Sequence, residues 1–334
     1  MNEKEIIKTR YKELLSIAKL PRNNPQFLDF DYYDVTPVDH DYAGQFQLKA
    51  NHVFQKLGLP FGFIMMIGDP NRASEIYDLF RQDPKYLGGG TGSGFKNRAP
   101  SVLDELDPLA KQIGAINVVV KKDGRLCGYN TDGLGFVRGL EELLKTARGN
   151  DSVKGLHVLV LGAGGTADAI GFTLASKGAT LTIVNRTSEK ASSLAERINS
   201  FYGTNYIGGG EELIESALVS ADVVINASTK SAEGPLKDFI AFAPAKVGEL
   251  EENLKRSFDV IKNLRPGTIV CDINLRSDES PTLRIAREAG FLTQNGAPMN
   301  FYQAVEALWI IHGELFSSKG LLKEDIASLV KEVS

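Results

Sequence analysis

The chain has 334 residues, of which 43% are hydrophobic and 24% charged, with a net charge of −4. This profile is typical of a globular protein with a large core, and the length suggests two domains. The charge gives no reason to expect nucleic acid or an anionic membrane as a partner. The four histidines are scattered, so no metal is expected. Cys127 and Cys271 lie beside apolar residues and are predicted to be buried core residues rather than a disulfide or metal ligands.

The N-terminal 20 residues have no apolar segment typical of a signal peptide. Their apolar positions recur at helical spacing, which predicts an amphipathic surface helix. The longest apolar run, residues 61–67, is far too short to cross a bilayer. We therefore expect a cytoplasmic protein without a membrane partner. A homodimer is one candidate assembly.

Up to about residue 120, short apolar runs alternate with helical patterns, which predicts an α/β domain. A helix that includes Val53 and Phe54 should end at Gly58. Ser101 and Asp104 stand at capping-box spacing and indicate the start of another helix. The predicted elements are that first helix, a buried strand at 61–67, helices at 73–80 and 101–113, and a strand at 117–121 that turns at Asp123-Gly124.

A helix at 136–144 and a polar loop at 149–155 lead into the most informative segment of the chain. A buried strand at 158–161 is followed by Gly162, Gly164 and Ala167 at the spacing G-x-G-x-x-A, then by a helical stretch and a second strand at 181–184. This is the dinucleotide-binding βαβ pattern. Gly162 allows the tight turn, Gly164 lets the backbone approach a pyrophosphate, and Ala167 lets the helix pack closely. The helix N-terminus then offers free N–H groups to the phosphates, and the predicted binding residues here are Gly162, Ala163, Gly164, Gly165, Thr166 and Ala167.

The end of the second strand predicts which dinucleotide binds. Proteins that bind NAD place a carboxylate about 20 residues after the glycines, on the ribose 2′-hydroxyl. Here Asn185, Arg186 and Thr187 occupy that place, and Lys190 follows. Because Arg186 and Lys190 can pair with a 2′-phosphate, we predict NADP rather than NAD. A glycine turn in an α/β sheet that binds no ligand is the alternative interpretation.

Two more parallel strands are predicted at 222–226 and 268–273. The stretch between them, 230–265, is polar and partly helical, and it is longer than a simple connection needs. A helix at 303–315 is expected to return to the first domain.

Three further segments have catalytic potential. Glycines at 88–94 lead to Lys96, residues 114–117 read Gly-Ala-Ile-Asn, and Asp132 lies between polar and glycine residues at the domain junction. Each segment also has a purely structural interpretation. These are a flexible surface loop with a solvated lysine, a turn that leads into a strand, and a helix N-cap at Asp132.

Together these motifs resemble the shikimate dehydrogenase family over residues 50–313. The resemblance rests on their order: Phe54-x-x-Leu57-Gly58-Leu59, Phe95-Lys96, Gly114-Ala115-Ile116-Asn117, Asn130-Thr131-Asp132-Gly133, the 162–167 and 185–187 motifs, and Gly296-x-x-Met299-x-x-x-Gln303. It implies an α/β fold of two domains with an active-site cleft between them. An α/β substrate domain would comprise 1–132 with 300–334, and a doubly wound Rossmann-type NADP domain 133–299.

The resemblance also implies the reaction, which is reversible oxidation of a ring hydroxyl of shikimate with NADP. Lys96 would be the acid/base group, and Asp132 would lie beside it, hold the substrate and set the charge state of the lysine. Asn117, Gln303 and Ser93 would bind substrate. Additional cofactor-binding candidates are Ser228, Gly296 and Met299.

The chain departs from the family pattern around the substrate. Gly44 and Phe46 stand where the family has two serines that bind the substrate carboxylate, and Leu275 replaces a tyrosine. Gly90 and Gly92 replace an asparagine and a threonine, and the segment 227–231 is altered. Substitute donors would be Tyr32, Tyr33, Thr36, His40 or Tyr42. Two hypotheses follow: a dehydrogenase for shikimate, quinate or another small substrate, and a non-catalytic relative that senses NADP or a ring acid.

Overall fold

The computed structural model describes residues 12–19, 30–40, 44–92 and 94–334. The chain divides into two compact units, Met1–Thr131 with Phe301–Ser334, and Asp132–Asn300. The roles predicted for these two parts of the chain are substrate binding and NADP binding, and both stay predictions.

The first unit is built on a mixed sheet with the strand order β1-β3-β2-β4-β6-β7-β5. The apolar run at 61–67 forms β3, as predicted, and it runs parallel to β2. Strand β4 pairs parallel with β2 and antiparallel with β6, so it lies in the middle of the sheet. The strands are β1 (Ala18–Lys19), β2 (Tyr32–Val38), β3 (Phe61–Gly68), β4 (Tyr86–Gly90), β5 (Glu105–Leu106), β6 (Val118–Lys122) and β7 (Arg125–Tyr129).

Helices pack on this sheet and bury apolar side chains against it. Residues 12–17 form α1, followed by α2 (Gln45–Lys56), α3 (Ala73–Gln82) and α4 (Pro108–Ile113). Gly58 follows α2 with a φ of 62°, which confirms its predicted role as helix terminator. The C-terminal helices are α11 (Ala297–Ser318) and α12 (Lys323–Lys331). Leu308 and Phe316 of α11 pack with Phe54 and Phe63, so the C-terminal tail returns to the first unit as expected.

The helix predicted at 101–113 is wrong in its first half. Only Pro108–Ile113 is α-helical, and residues 105–106 form β5 instead. Proline disfavours a helical residue before it but suits the first helical position, so the helix starts at Pro108. Asp107 caps it by accepting the N–H of Leu109 at 3.0 Å. Asp104 does not cap a helix but accepts the N–H of Leu126 at 2.7 Å.

The second unit is a doubly wound α/β unit with a parallel sheet in the order β10-β9-β8-β11-β12-β13. The predicted strands are all present within two residues of their expected ends. The strands are β8 (His157–Leu161), β9 (Thr180–Val184), β10 (Ile207–Gly209), β11 (Val223–Asn226), β12 (Ile269–Asp272) and β13 (Leu292–Gln294). The helices are α5 (Asp132–Arg148), α6 (Gly165–Ser176), α7 (Ser188–Tyr202), α8 (Ile214–Ser220), α9 (Leu250–Val260) and α10 (Pro281–Glu288).

The long stretch at 230–265 holds α9 and a loop that packs on the parallel sheet. Ile240, Ala241 and Phe242 of that loop are buried among residues of β11 and β12. Both cysteines are buried and outside any disulfide, as predicted. In the part of the chain that the structure describes, no helix combines the length and apolar character needed to span a membrane.

Candidate functional site

A cavity of about 430 Å³ opens at the carboxyl ends of the parallel strands of the second unit. The chain leaves β8 toward β9 on one side and returns as β11 on the other, so this is the switch point where doubly wound sheets bind ligands. Most of the predicted cofactor residues line it: Gly162, Ala163, Gly164, Gly165, Thr166, Asn185, Arg186, Thr187, Lys190 and Ser228.

The glycines leave room for a phosphate-bearing ligand. A Cβ on Gly162 would lie 2.3 Å from the carbonyl oxygen of Ala227, and the φ of Gly162 is 132°, so only glycine fits this turn. At Gly164 and Gly165, by contrast, a Cβ would have no other atom within 4 Å, so the backbone faces open space. Helix α6 begins at Gly165 and directs its free N–H groups there. Ala167 is fully buried beneath the turn. These residues fit a dinucleotide.

Basic side chains line the other end of the cavity. Arg186 is exposed at the end of β9, and Lys190 lies in the first turns of α7. The Asn185 amide donates to the carbonyl of Thr187 at 3.0 Å, which holds this turn in shape. Two cations at the end of the second strand suit a 2′-phosphate.

The same cavity contains two charged residues whose role is not evident from the sequence. Glu211 lies just after β10, and Lys230 lies in the segment after β11. Lys230 Nζ lies 2.5 Å from Glu211 Oε1 and donates to the carbonyl of Ala243 at 2.7 Å. Burial lowers the pKa of Lys230, which Glu211 opposes and Arg186 reinforces. Their positions in the sequence could have indicated them, because both residues follow the carboxyl ends of strands near the switch point.

A buried polar network holds the segment after β11. Asn226 donates its amide N–H to the carbonyl of Lys230 at 2.8 Å and to Asp272 at 3.1 Å. Ser228 donates to Asn226 Oδ1, and Ser280 donates to Asp272 at 2.8 Å. Burial raises the pKa of Asp272, while hydrogen bonds from Asn274, Asn226 and Ser280 act in the opposite direction. The network fixes the position of Ser228 at the cavity.

Gly296 and Met299 do not line this cavity. A Cβ on Gly296 would lie 2.3 Å from the carbonyl oxygen of Ile273, so the glycine permits close approach of two backbone segments. Met299 is 8% exposed in the first turn of α11. A second cavity, of about 670 Å³, is lined by neighbouring residues that include Asn274, Gln294 and Pro298. The cofactor role predicted for Gly296 and Met299 stays a prediction.

In the first unit, three segments that contain the predicted residues Lys96, Asn117 and Gln303 come together from distant parts of the chain. The carbonyl of Lys96 accepts the N–H of Ile116 at 3.1 Å. Hydrogen bonds join Asn117 and Thr131: Asn117 Nδ2 donates to Thr131 Oγ1 at 3.0 Å, and Thr131 N donates to Asn117 Oδ1 at 2.8 Å. Thr131 Oγ1 also donates to the carbonyl of Gln303 at 3.2 Å. Lys96, Asn117 and Gln303 therefore lie in one hydrogen-bonded region of this unit.

The glycine-rich segment before Lys96 is not a flexible surface loop over residues 88–92, which are buried. Gly88, Gly89 and Gly90 belong to β4, the middle strand of the sheet. A Cβ on Gly89 would lie 2.0 Å from the carbonyl oxygen of Val35 in β2. The glycines therefore permit close packing of β4 on its neighbour. The half-buried Lys96 lies in a turn further along the chain. Ser93, a predicted substrate residue, lies outside the described residues.

Asp132 is the first residue of α5 and is 5% exposed. It therefore occupies the first turn of the helix rather than the N-cap position that the alternative interpretation required. A carboxylate there interacts favourably with the positive end of the helix.

The positions of the two missing serines are apolar. A Cβ on Gly44 would lie 2.0 Å from Met65 Sδ, and the Phe46 ring packs on Phe63 with centroids 4.8 Å apart. Of the suggested substitute donors, Thr36 accepts the N–H of Gly90 at 3.0 Å, and the Tyr33 hydroxyl donates to Asp83. Tyr32 and His40 are exposed, and Tyr42 lies outside the described residues.

Comparisons with known proteins agree with this geometry, which is that of a dinucleotide-binding dehydrogenase. The family model described as shikimate dehydrogenase substrate binding domain matches residues 47–119, and the model described as shikimate / quinate 5-dehydrogenase matches 142–237. The shikimate dehydrogenase (NADP(+)) of Desulforamulus reducens is 33% identical over 279 residues, which cover 82% of this chain and 87% of that protein. The chain belongs to the shikimate dehydrogenase family.

Solved structures share the fold. The shikimate 5-dehydrogenase of Listeria monocytogenes, solved with shikimate and NAD, has a TM-score of 0.74 at 24% identity, covering 90% of this chain and 96% of that one. The ligand-free 5-ketofructose reductase of a Gluconobacter species has a TM-score of 0.69 at 24% identity, covering 91% and 99%.

Proposed function

We propose that the protein is an NADP-dependent dehydrogenase that interconverts shikimate and 3-dehydroshikimate. The observation that carries this proposal is the hydrogen-bonded region that joins the Lys96, Asn117, Thr131 and Gln303 segments in the first unit. The family membership and the glycine-lined cavity with Arg186 and Lys190 support NADP as the cofactor.

The proposed chemistry assigns a proton to the protein. Oxidation of a secondary alcohol removes a hydride from carbon and a proton from the hydroxyl group. NADP, when bound, supplies the hydride acceptor, and NADPH supplies the donor in the reverse direction. Lys96 accepts the hydroxyl proton as an amine and returns it as an ammonium group in the reduction. Asn117 and Gln303 hydrogen-bond the remaining hydroxyl groups, and Asp132 is the second proposed catalytic group.

A second candidate is a dehydrogenase for a small substrate that carries no carboxylate. The packing of Phe46 on Phe63 and of Gly44 against Met65 favours it, because neither position offers a donor for a carboxylate. The fold also occurs in a protein described as a 5-ketofructose reductase, so the fold alone does not select the substrate.

The test is an absorbance assay of the purified protein with NADP and shikimate, then quinate, and with NADPH and 5-ketofructose, with NAD and NADH as control cofactors. Turnover of shikimate with NADP is the expected result. Turnover of 5-ketofructose alone would favour the second candidate. NADP binding without any turnover would favour the non-catalytic, sensing alternative.

Lys96→Ala tests the catalytic assignment. Since general acid–base catalysis contributes about 10²–10⁴-fold, we expect kcat to fall by about that factor. The Kd for NADP should stay within about threefold, because the predicted cofactor cavity is built by residues of the other unit. Lys111→Ala, at an exposed lysine, is the control. Unchanged turnover in Lys96→Ala would show that another group moves the proton.

The location, partners and assembly of the enzyme are also proposed. We propose a cytoplasmic enzyme that acts on small molecules and assembles as a homodimer, with neither nucleic acid nor a membrane as partner. Light scattering coupled to size-exclusion chromatography measures the assembly. A monomer mass would contradict the dimer.

A further inference from the structure

The Glu211–Lys230 pair lies in the predicted cofactor cavity, and the proposed reaction does not use it. The two side chains are 14% and 7% exposed, and their charged atoms are 2.5 Å apart. Arg186 and Lys190 line the same cavity. The cavity thus contains three cationic side chains and one carboxylate, all within one unit.

Without Lys230 as its partner, the Glu211 carboxylate would disfavour the binding of NADP. Dinucleotide-binding proteins that use NAD have a carboxylate near the end of the second strand. This carboxylate accepts a hydrogen bond from the ribose hydroxyl of NAD and repels a 2′-phosphate. Glu211 lies just after the neighbouring strand β10 rather than β9, but it lines the same cavity as Asn185 and Arg186. A half-buried carboxylate without a counter-ion would also attract the guanidinium of Arg186 away from a ligand.

Lys230 is held where it can neutralise this carboxylate. Its backbone N–H donates to Ser228 Oγ at 3.2 Å, and its carbonyl accepts the amide N–H groups of Asn226 and Asn274. Its ammonium group also donates to the carbonyl of Ala243 at 2.7 Å. With backbone and side chain both fixed, the lysine stays on Glu211 rather than moving into solvent.

We propose that Lys230 determines cofactor specificity by neutralising Glu211, so that the cavity selects the 2′-phosphate of NADP over the 2′-hydroxyl of NAD. This inference rests on the proposed function, because it assumes that the cavity binds NADP. Lys230 acts as a specificity residue through Glu211 and need not contact the cofactor.

The selectivity of the native protein and its variants for NADP should follow the summed formal charge of these four side chains. The native set carries three cations and one anion, a net charge of +2. Lys230→Met leaves +1, Glu211→Gln leaves +3, and the double variant restores +2. Selectivity for NADP, measured as Kd(NAD)/Kd(NADP), should therefore be highest in Glu211→Gln, lowest in Lys230→Met, and similar in the native protein and the double variant.

The experiment is calorimetric titration of the full-length protein and the three variants with NADP and with NAD at a fixed salt concentration. We expect the ratio to fall by about tenfold in Lys230→Met, to rise by about threefold in Glu211→Gln, and to return to within about threefold in the double variant. The control is Lys246→Met with Glu249→Gln, an exposed ion pair of the same residue types in the same unit, which should leave the ratio unchanged.

Each outcome decides the question. If Lys230→Met does not fold, the rise in Glu211→Gln and the recovery in the double variant still test the inference, because neither variant leaves the half-buried carboxylate without its partner. A purely structural pair would change both Kd values equally, and an unchanged ratio in all variants would overturn the inference while the proposed function stands. A native protein that binds neither dinucleotide would overturn the proposed function itself.

Discussion

Single buried polar residues do much of the positioning in the second unit. Asp272 is 1% exposed, and its carboxylate accepts hydrogen bonds from Asn226, Asn274 and Ser280. Burial raises its pKa, so the folded protein holds a proton at Asp272 more tightly than the unfolded chain does. The contribution of this group to stability is therefore fully present below the pKa of the unfolded chain and is lost as the pH rises through the raised pKa of the folded state.

Asp272→Asn tests that pH dependence, because asparagine does not titrate. Asn places an N–H against at least one of the present donors, so the variant should be less stable at pH 7 by about 1–3 kcal/mol. The advantage of the native protein over the variant should shrink as the pH rises above about 4, the pKa of an unfolded aspartate. Urea unfolding of both proteins at several pH values measures it, and an advantage that grows with pH would contradict the sign of the shift.

Site residues that are close together in the sequence could be predicted, and those that are far apart could not. Arg186 and Lys190 were predicted as ligands of a phosphate because they follow the glycine motif within one βαβ unit, whose geometry is known from spacing alone. Glu211 and Lys230 were not predicted, since their pairing depends on how far β10 and the segment after β11 converge. Whether any of these residues binds NADP stays a prediction.

Among the elements, α11 is attached to the first sheet by a buried hydrogen bond between two side chains. His312 Nε2 lies 2.7 Å from Asp34 Oδ2 of β2, and the two side chains are 3% and 1% exposed. The rings of Phe54, Phe61 and Phe316 surround the imidazole. The C-terminal helix thus gains a specific polar attachment in addition to its apolar contacts.

His312→Leu should destabilise the protein by about 3–5 kcal/mol, because it leaves the Asp34 carboxylate buried without its partner. Adding Asp34→Asn removes that charge and should recover at least about 1 kcal/mol. Denaturant unfolding measures both effects. His40→Leu is the control, since the His40–Asp39 pair is exposed and should be worth less than about 1 kcal/mol. Equal losses in the single and double variants would show that the charge is not the cause.

The elements also show where local patterns mislead. Apolar runs predicted β3, β8 and β9 well, since a buried strand needs a continuous apolar segment. The glycines of β4 have no side chains from which to recognise a strand. The tertiary structure explains them, because a Cβ on Gly88, Gly89 or Gly90 would lie 2.6, 2.0 or 2.5 Å from an atom of a neighbouring strand. The helix predicted at 101–113 relied on the Ser101–Asp104 spacing. Pro108 disfavours a helical residue before it, so the helix begins only at Pro108.

For the whole molecule, each unit has its own core. The core of the second unit, which includes Leu159, Val224 and Phe242, draws only on residues between 132 and 300. The predicted cofactor cavity is likewise lined entirely by residues of that unit. A unit with its own core and binding cavity is expected to fold independently.

A fragment of residues 132–300 should therefore unfold cooperatively and bind NADP with a Kd within about tenfold of the full chain. Thermal unfolding by circular dichroism and calorimetric titration measure the two properties. The Gly164→Asp fragment is the control, because a carboxylate in the glycine turn should abolish binding without preventing folding. A fragment without a cooperative transition would show that the second unit depends on the first.

The sequence by itself determined the α/β class, the dinucleotide motif with its basic end, and the order of motifs that places the chain in its family, because these features are local or depend on spacing along the chain. The tertiary structure decided what lies beside what: the meeting of the Lys96, Asn117 and Gln303 segments, the aromatic packing at Phe46, and the pairing of Glu211 with Lys230. The physical reason is that burial and charge pairing depend on distances between segments far apart in the chain, and local patterns carry little information about those distances.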